Sequence, residues 1–277
     1  MATVATVATV ATVAMAMAGT GTTGTGTTGA GTGTTGTGTT ASISKDTLRR
    51  LISDIKELRA NPLTSHGIHY SHDDTEILKG KALIIGPSDT PYEDGFYLFR
   101  FNFPTNYPHA PPNVEFCTQD DQTRFNPNLY RSGKVCLSLL NTWQGEPWSG
   151  CQTISSILLA LCTILNKEPL LNEPGINKTH RDFHKYNAII QYKNIETAIL
   201  GMLSRESIQT EFSIFQKIMV EHFLSRREKI QKKVEEALAE QVSKQLLVDD
   251  PDIIVTHLYN MVIIIDYRGL LAKVINF

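Results

Sequence analysis

The chain runs to 277 residues, of which 19% are charged, with a formal net charge of −2. That near-neutral balance argues against electrostatic binding of nucleic acid. Its four cysteines, Cys117, Cys136, Cys151 and Cys162, form no CxxC pair, which argues against a disulfide-dense secreted scaffold and for reduced thiols in the cytoplasm or nucleus.

Residues 1–18 hold four tandem Ala-Thr-Val triplets followed by AMAMA, and 19–40 are almost purely Gly and Thr. No charged residue precedes Lys45, so the basic start of a secretory signal and the arginines of a transit peptide are both missing. Such a composition buries too little apolar surface to offset its ordering entropy. Residues 1–43 therefore read as a disordered low-complexity tail without an assigned function. The β-propensity of the Ala-Thr-Val part leaves a sticky or membrane-directed role as the alternative.

From Ser44 the pattern is helical. Ser44 caps a run in which Leu48, Leu51, Ile52, Ile55 and Leu58 recur at helical spacing until Asn61-Pro62. The other face carries Lys45, Arg49, Arg50, Lys56 and Arg59, either solvated or docking a partner. His66, His69 and His72 recur every third residue, but no companion ligand stands at metal spacing, so a solvated loop is expected there.

Three strand-like runs follow at 77–85, 96–103 and 113–118. In the second, Tyr97, Phe99, Phe101 and Phe103 share one face; in the third, Val114 and Phe116 point inward and Glu115 outward. Short links favour an antiparallel meander. Between the last two, Pro104, Pro108, Pro111 and Pro112 forbid helix and central strand. They make a stiff loop that either presents His109 or serves as a structural crossover.

The stretch 124–149 holds the chemistry. Cys136 sits on a short apolar run after Gly133, with Asn128 eight residues earlier in rigid Asn126-Pro127-Asn128. A thiol beside a fixed amide suits acyl transfer through a thioester, with the amide bonding the oxyanion. The sulfur is expected to lie open at the rim of the meander.

A helix is expected over 151–166, with Ile154, Ile157, Leu158, Leu161 and Leu165 as its apolar stripe and Cys162 packed beside it. Helical segments follow at 182–203, 209–224 and 225–247, the last with a stripe of Ile230, Val234, Leu238 and Val242. Asp249-Asp250-Pro251-Asp252 breaks the chain. The apolar end, 253–277, is interrupted by His257, Asn260, Asp266, Arg268 and Lys273, and its run 261–265 is far short of the roughly 20 residues of a membrane span. A buried terminal helix or strand is expected, with membrane anchoring as the alternative.

Four fragments in order now resemble a known family. They are Gly86-Pro87 with Thr90-Pro91-Tyr92-Glu93 and Gly95; Phe103-Pro104, Tyr107-Pro108 and Pro111-Pro112; Asn126-Pro127-Asn128, Gly133 and Val135-Cys136-Leu137; and Trp148-Ser149. Together they resemble the ubiquitin-conjugating enzymes. The insertion Thr142-Trp143-Gln144-Gly145-Glu146-Pro147, the phrase Asn172-Glu173-Pro174-Gly175, Phe125 before the Asn-Pro-Asn segment and the helix past Tyr186-Asn187 resemble the large Z-type subgroup.

The resemblance implies an α+β fold: an N-terminal helix, a four-stranded antiparallel meander and C-terminal helices over residues 44–205, followed by a helical extension at 206–277. It implies that Cys136 accepts ubiquitin or a ubiquitin-like modifier from an activating enzyme, which consumes the ATP, and passes it to a substrate lysine with or without a ligase. No cofactor is implied for this chain. By resemblance Asn128 orients the site and stabilises the oxyanion, while Tyr130 and Glu173 flank the incoming lysine. Lys45, Arg49 and Arg50 would meet the activating enzyme, and His109, Trp148 and Ser149 a ligase. Each residue has a plainer reading: Asn128 as turn-holder, Tyr130 as packed aromatic, Glu173 as exposed acid. Two departures stand out, Asn126 where the family has histidine and Gly150 where it has proline. A silent adaptor of the same fold is the competing reading. A cysteine hydrolase would need His180 or His184 paired with Cys136.

Overall fold

The structure, a computed structural model, describes residues 43–245 and 252–277. The low-complexity tail up to residue 42 lies outside the described residues, as does the expected break at 249–252 except for Asp252, which begins a strand. Helix α1 (Lys45–Ala60) starts where Ser44 Oγ accepts the Thr47 N–H at 3.0 Å. It buries Leu51, Ile55 and Leu58. Full burial of a leucine such as Leu51 is worth about 1.5–3 kcal/mol.

Strands β1 (Ile68–His72), β2 (Lys79–Ile85), β3 (Phe96–Asn102) and β4 (Asn113–Phe116) form one antiparallel meander in the order β1-β2-β3-β4. The histidine-rich segment is thus a strand, against the expected loop: Ile68 pairs with Ile84 and His72 with Gly80. His72 is buried, its Nδ1 bonded with Tyr70 Oη at 2.8 Å and its Nε2 with the Ile77 carbonyl at 2.7 Å. Burial lowers its pKa. Polar residues at alternate positions hid this strand, because Tyr70 and His72 are satisfied by bonds that the sequence does not display.

Strand β3 is buried on both faces, so the single apolar face of Tyr97, Phe99 and Phe101 is only half of its environment. That face packs inward, Tyr97 Oη donating to Asn194 Oδ1 at 2.6 Å. The opposite face is covered by the C-terminal region. Phe96 meets the ring of His222, and Arg100 and Lys81 bond Glu211.

Behind the sheet lie α2 (Ile154–Ile164), capped by Thr153 and shorter than expected, and α3 (Phe183–Lys193), which widens into a π-helical stretch Asn194–Gly201. A short helix Glu206–Glu211 precedes α4 (Ser213–Gln245), one continuous helix where two segments were expected. No proline or glycine stands at the join near Leu224. On α4, Ile230 and Val234 are buried but Val242 is exposed, and Gln241 takes its place, donating to the Ile265 carbonyl. Residues spaced by four drift about 40° per step around a helix, which carries the expected stripe off the packing surface.

The chain ends in a hairpin, β5 (Asp252–Thr256) with β6 (Met261–Ile265), and helix α5 (Tyr267–Asn276). The hairpin is only half buried: Met261, Ile263 and Ile265 face the core, Val262 and Ile264 solvent. Among the described residues no helix is long and apolar enough to cross a membrane. One buried cluster runs from Leu51 to Val274 and takes in both the meander and the C-terminal helices.

The loop before β3 anchors α4. Glu93 accepts from Lys229 and Lys233 at 2.6 and 2.7 Å, and Asp94 faces His222 at 2.9 Å. Burial pushes the Glu93 carboxyl up, but the two lysines outweigh it and hold it at about 2.

Candidate active site

Residues 126–136 close a tight hairpin through the bridges Asn126–Leu129 and Leu129–Val135. Its turn needs Gly133, whose φ is +85°, and a Cβ there would lie 2.9 Å from Glu115 Cγ. The hairpin brings Asn128 onto Cys136 twice: the Cys136 N–H donates to the Asn128 carbonyl at 2.8 Å, and Asn128 Nδ2 donates to the Cys136 carbonyl at 2.7 Å. Asn128 Oδ1 is buried without a hydrogen-bond partner among the described residues.

Asn126, which stands in place of the family's histidine, is fully buried and fully used. Its Nδ2 donates to Tyr92 Oη and to the Ile164 carbonyl, and its Oδ1 accepts from the Asn128 N–H and from Asn172 Nδ2. An amide carries both a donor and an acceptor, so it satisfies this junction without a ring.

The thiol is not open, against expectation: Cys136 is 1% exposed. Both neighbours, Val135 and Leu137, are buried. Thr142 Oγ1 donates to the Val135 carbonyl and accepts from the Leu137 N–H at 2.9 Å each, drawing the following loop back against the segment. A cleft of about 410 Å³ lies alongside, lined by Pro111, Pro112, Gly133, Lys134, Val135 and Thr142 among others. Of the other cysteines, burial pushes Cys117 up to about 12 and raises Cys162, whereas Cys151 is exposed.

Tyr130 lies under the guanidinium of Arg124, which stands 3.3 Å from its ring centroid, with Lys134 Nζ at 5.5 Å. Arg124 is tied to the same hairpin, donating to the carbonyls of Asn126 at 3.1 Å and Pro127 at 2.6 Å. Glu173 follows the turn Pro169–Asn172, and its Oε2 accepts from the Tyr259 hydroxyl at 2.6 Å. Arg124 also lies 4.9 Å from the Tyr259 ring, so Tyr130, Arg124, Tyr259 and Glu173 form one patch.

Elsewhere the expected contacts divide. Lys45, Arg49, His109 and Ser149 are exposed. Arg50 and Trp148 are not free surface. Arg50 bonds Asp54 and the carbonyls of Gly150 and Gln152. Trp148 is buried, its Nε1 donating to the Pro108 carbonyl at 2.7 Å and its ring packed on Tyr107. Both braces knit α1, the proline loop and the segment after Trp148 together. His180 accepts from the Asp182 N–H and His184 packs on Phe183, so neither histidine is bonded to Cys136.

Two members of the patch escaped the sequence reading. Arg124 adjoins the Asn-Pro-Asn segment and could have been found by proximity. Tyr259 lies far away in the apolar tail and carries no local signal.

A family model described as "Ubiquitin-conjugating enzyme" matches residues 50–194. The chain is 38% identical over 185 residues to "Ubiquitin-conjugating enzyme E2 Z" of Danio rerio, covering 65% of this chain and 56% of that protein. It is 42% identical over 159 residues to the Homo sapiens protein of that name, covering 56% and 44%. It is 38% identical over 203 residues to human "Dual E2 ubiquitin-conjugating enzyme/E3 ubiquitin-protein ligase BIRC6", covering 69% of this chain and 4% of that one. The chain thus spans about half the length of the E2 Z relatives. The matched model takes in more than half of the chain, including the meander, the 126–136 hairpin and the helix behind them, and so the chain belongs to the ubiquitin-conjugating enzyme family and resembles its E2 Z group.

Proposed function

We propose that Cys136 accepts ubiquitin or a ubiquitin-like modifier as a thioester from an activating enzyme and delivers it to a substrate lysine. The observation that carries this reading is the pair of hydrogen bonds between Asn128 and the backbone of Cys136, which holds an amide donor on the residue that bears the thiol. In loading, the Cys136 thiolate attacks the incoming thioester carbonyl, and the activating enzyme's cysteine leaves as thiolate with the electron pair. The exchange passes an electron pair from one sulfur to another, so one thiolate is consumed, one is released and no net proton transfer is required. In transfer, a neutral amine attacks the carbonyl, the N–C bond forms, the C–S bond breaks, and Cys136 leaves as thiolate while the nitrogen gives up its proton. Lysine titrates near 10.4, so that proton is the harder problem. Glu173, with Tyr130 opposite, supports a site that orients the amine and takes its proton. Asn128 moves its Nδ2 from the Cys136 carbonyl to the oxyanion.

Because the sulfur is covered, loading is coupled to displacement of the loop that Thr142 holds, and the adjoining cleft offers room for an extended carboxyl terminus. Lys45 and Arg49 on α1 suit an activating enzyme, and His109 and Ser149 a ligase, with Arg50 and Trp148 bracing those loops from inside. This chain binds no cofactor of its own in this scheme; the activating enzyme spends the ATP. Four unpaired cysteines suit a reducing compartment, the cytoplasm or nucleus. Residues 44–205 act as the catalytic unit and 206–277 as its extension.

The covered sulfur favours one second reading, a silent adaptor. Incubation with activating enzyme, ATP and a panel of modifiers separates the two. A reductant-sensitive band formed by the wild-type chain and lost in Cys136→Ala supports the conjugating enzyme. Folded protein that forms no band with any modifier refutes it.

A further inference from the structure

The tip of the C-terminal hairpin reaches the acceptor side of the candidate site. Between β5 and β6, Tyr259 and Asn260 both sit in the left-handed region, at φ of 63° and 49°. For a bulky residue that conformation costs about 1–2 kcal/mol and persists only where contacts over-determine it. The contacts are present. Asp182 Oδ2 accepts the N–H groups of His257 and Leu258 at 2.9 Å each. Arg131 Nη2 donates to the Tyr259 carbonyl at 2.7 Å, and the Tyr259 ring meets Tyr186 edge-on. The one polar atom of the side chain is spent on Glu173 Oε2, at 2.6 Å. Burial, with Glu173 beside it, raises the phenol's pKa and keeps its proton in place.

We propose that Tyr259 is a positioning residue for transfer, holding Glu173 by one carboxylate oxygen so that the other, Oε1, faces the incoming amine. This rests on the conjugating function proposed above. Oε1 accepts no hydrogen bond from the described residues, whereas Oε2 is occupied. A carboxylate on an exposed loop would otherwise sample several rotamers, and orienting it in advance removes that cost from the transition state. In the step itself the amine nitrogen bonds the thioester carbon, the C–S bond breaks towards Cys136, and the nitrogen's proton passes to Oε1. Tyr259 neither gains nor loses a proton.

The test uses the full chain, loaded with ubiquitin and then separated from activating enzyme and ATP. Discharge is followed in parallel to free lysine and to a small thiol, whose attack needs no carboxylate. Tyr259→Phe keeps the ring on Tyr186 and Arg124 and removes only the hydroxyl. A hydrogen bond to a charged group of this kind corresponds to about a tenfold effect or more. The expected result is a fall of about tenfold in lysine discharge, with thiol discharge unchanged and no further fall when Y259F is added to Glu173→Ala. Should Y259F melt early, the lysine-to-thiol ratio still isolates the effect, because unfolding lowers both. An unchanged or faster lysine discharge, an equal fall for thiol, or a full fall in the E173A background overturns the proposal while leaving the conjugating function standing. Failure of the wild-type chain to load overturns both.

Discussion

Asp182 is the side chain on which delivery of the hairpin tip depends. It is fully buried, and one oxygen accepts two backbone N–H groups, those of His257 and Leu258, at 2.9 Å each. Hydrogen bonds to a charged group contribute about 1.5–3 kcal/mol apiece when one partner is removed, or roughly 3–6 kcal/mol for the pair. Against this, Asp182 Oδ1 is buried without a partner among the described residues, so deleting the carboxylate also relieves a desolvation cost of about 1–3 kcal/mol. The net expectation for Asp182→Ala is a loss of about 2–3 kcal/mol, localised to the hairpin. Native-state hydrogen exchange reads this directly: the amides of His257 and Leu258 should exchange about 30- to 150-fold faster, at about tenfold per 1.36 kcal/mol. Asp182→Asn keeps a neutral acceptor and should lose about half as much. Burial alone would raise the Asp182 carboxyl, but the N–H groups of Leu258 and His257 hold it below the ordinary range. A depressed acid contributes its full stability above its unfolded pKa, near 3.8, and loses it as pH falls through the lower folded value. The difference between wild type and D182A should therefore be constant from about pH 5 to 8 and shrink below about pH 4. Unchanged exchange at the two amides, or a difference independent of pH, would refute the anchoring role.

Four further outcomes follow from the same structure. Lys229→Met with Lys233→Met should destabilise the chain by about 1–2 kcal/mol, less than the carboxyl shift alone suggests because the lysines are half exposed. Urea unfolding should show that difference above about pH 4.5, fading as pH falls towards the Glu93 value of about 2. With iodoacetamide at pH 7.5, exposed Cys151 should be labelled well before Cys136, and Cys117, pushed up to about 12, last of all, as peptide mapping would reveal. Asn128→Ala should slow transfer to lysine by about 10²–10³-fold if its amide meets the oxyanion, and by tenfold or less if it only braces Cys136, as single-turnover discharge would distinguish. Gly86→Ala should cost about 1–3 kcal/mol or more in a thermal melt, because the added methyl would lie 1.7 Å from the Tyr92 carbonyl oxygen.

Local sequence displays what local physics decides. Ser44 announced α1, the period-two aromatics announced β3, and Gly133 announced the turn that sets Asn128 against Cys136. Long-range bonds were invisible. Trp148 looked like a ligase-facing residue, and its indole is instead committed to the Pro108 carbonyl. Arg50 looked like part of a docking face and turns inward to Asp54 on its own helix and to two loop carbonyls, those of Gly150 and Gln152. The strand at Ile68–His72 was obscured because its polar side chains satisfy one another and the following loop, Tyr70 Oη bonding His72 Nδ1 and His72 Nε2 the Ile77 carbonyl, which lets them sit in a half-buried strand.

The sequence by itself determined the first helix, the three later strands of the meander, the Asn-Pro-Asn hairpin and the thiol that follows it, because periodicity, turn chemistry and short spacing are all encoded within a dozen residues. Only the tertiary structure decided that the thiol is covered, that β3 is buried on its second face by the C-terminal helices, and that Tyr259 meets Glu173 across 86 positions. Those outcomes depend on which distant surfaces find each other, and a donor such as a phenol far down an apolar tail gives no local sign of the carboxylate that will accept from it.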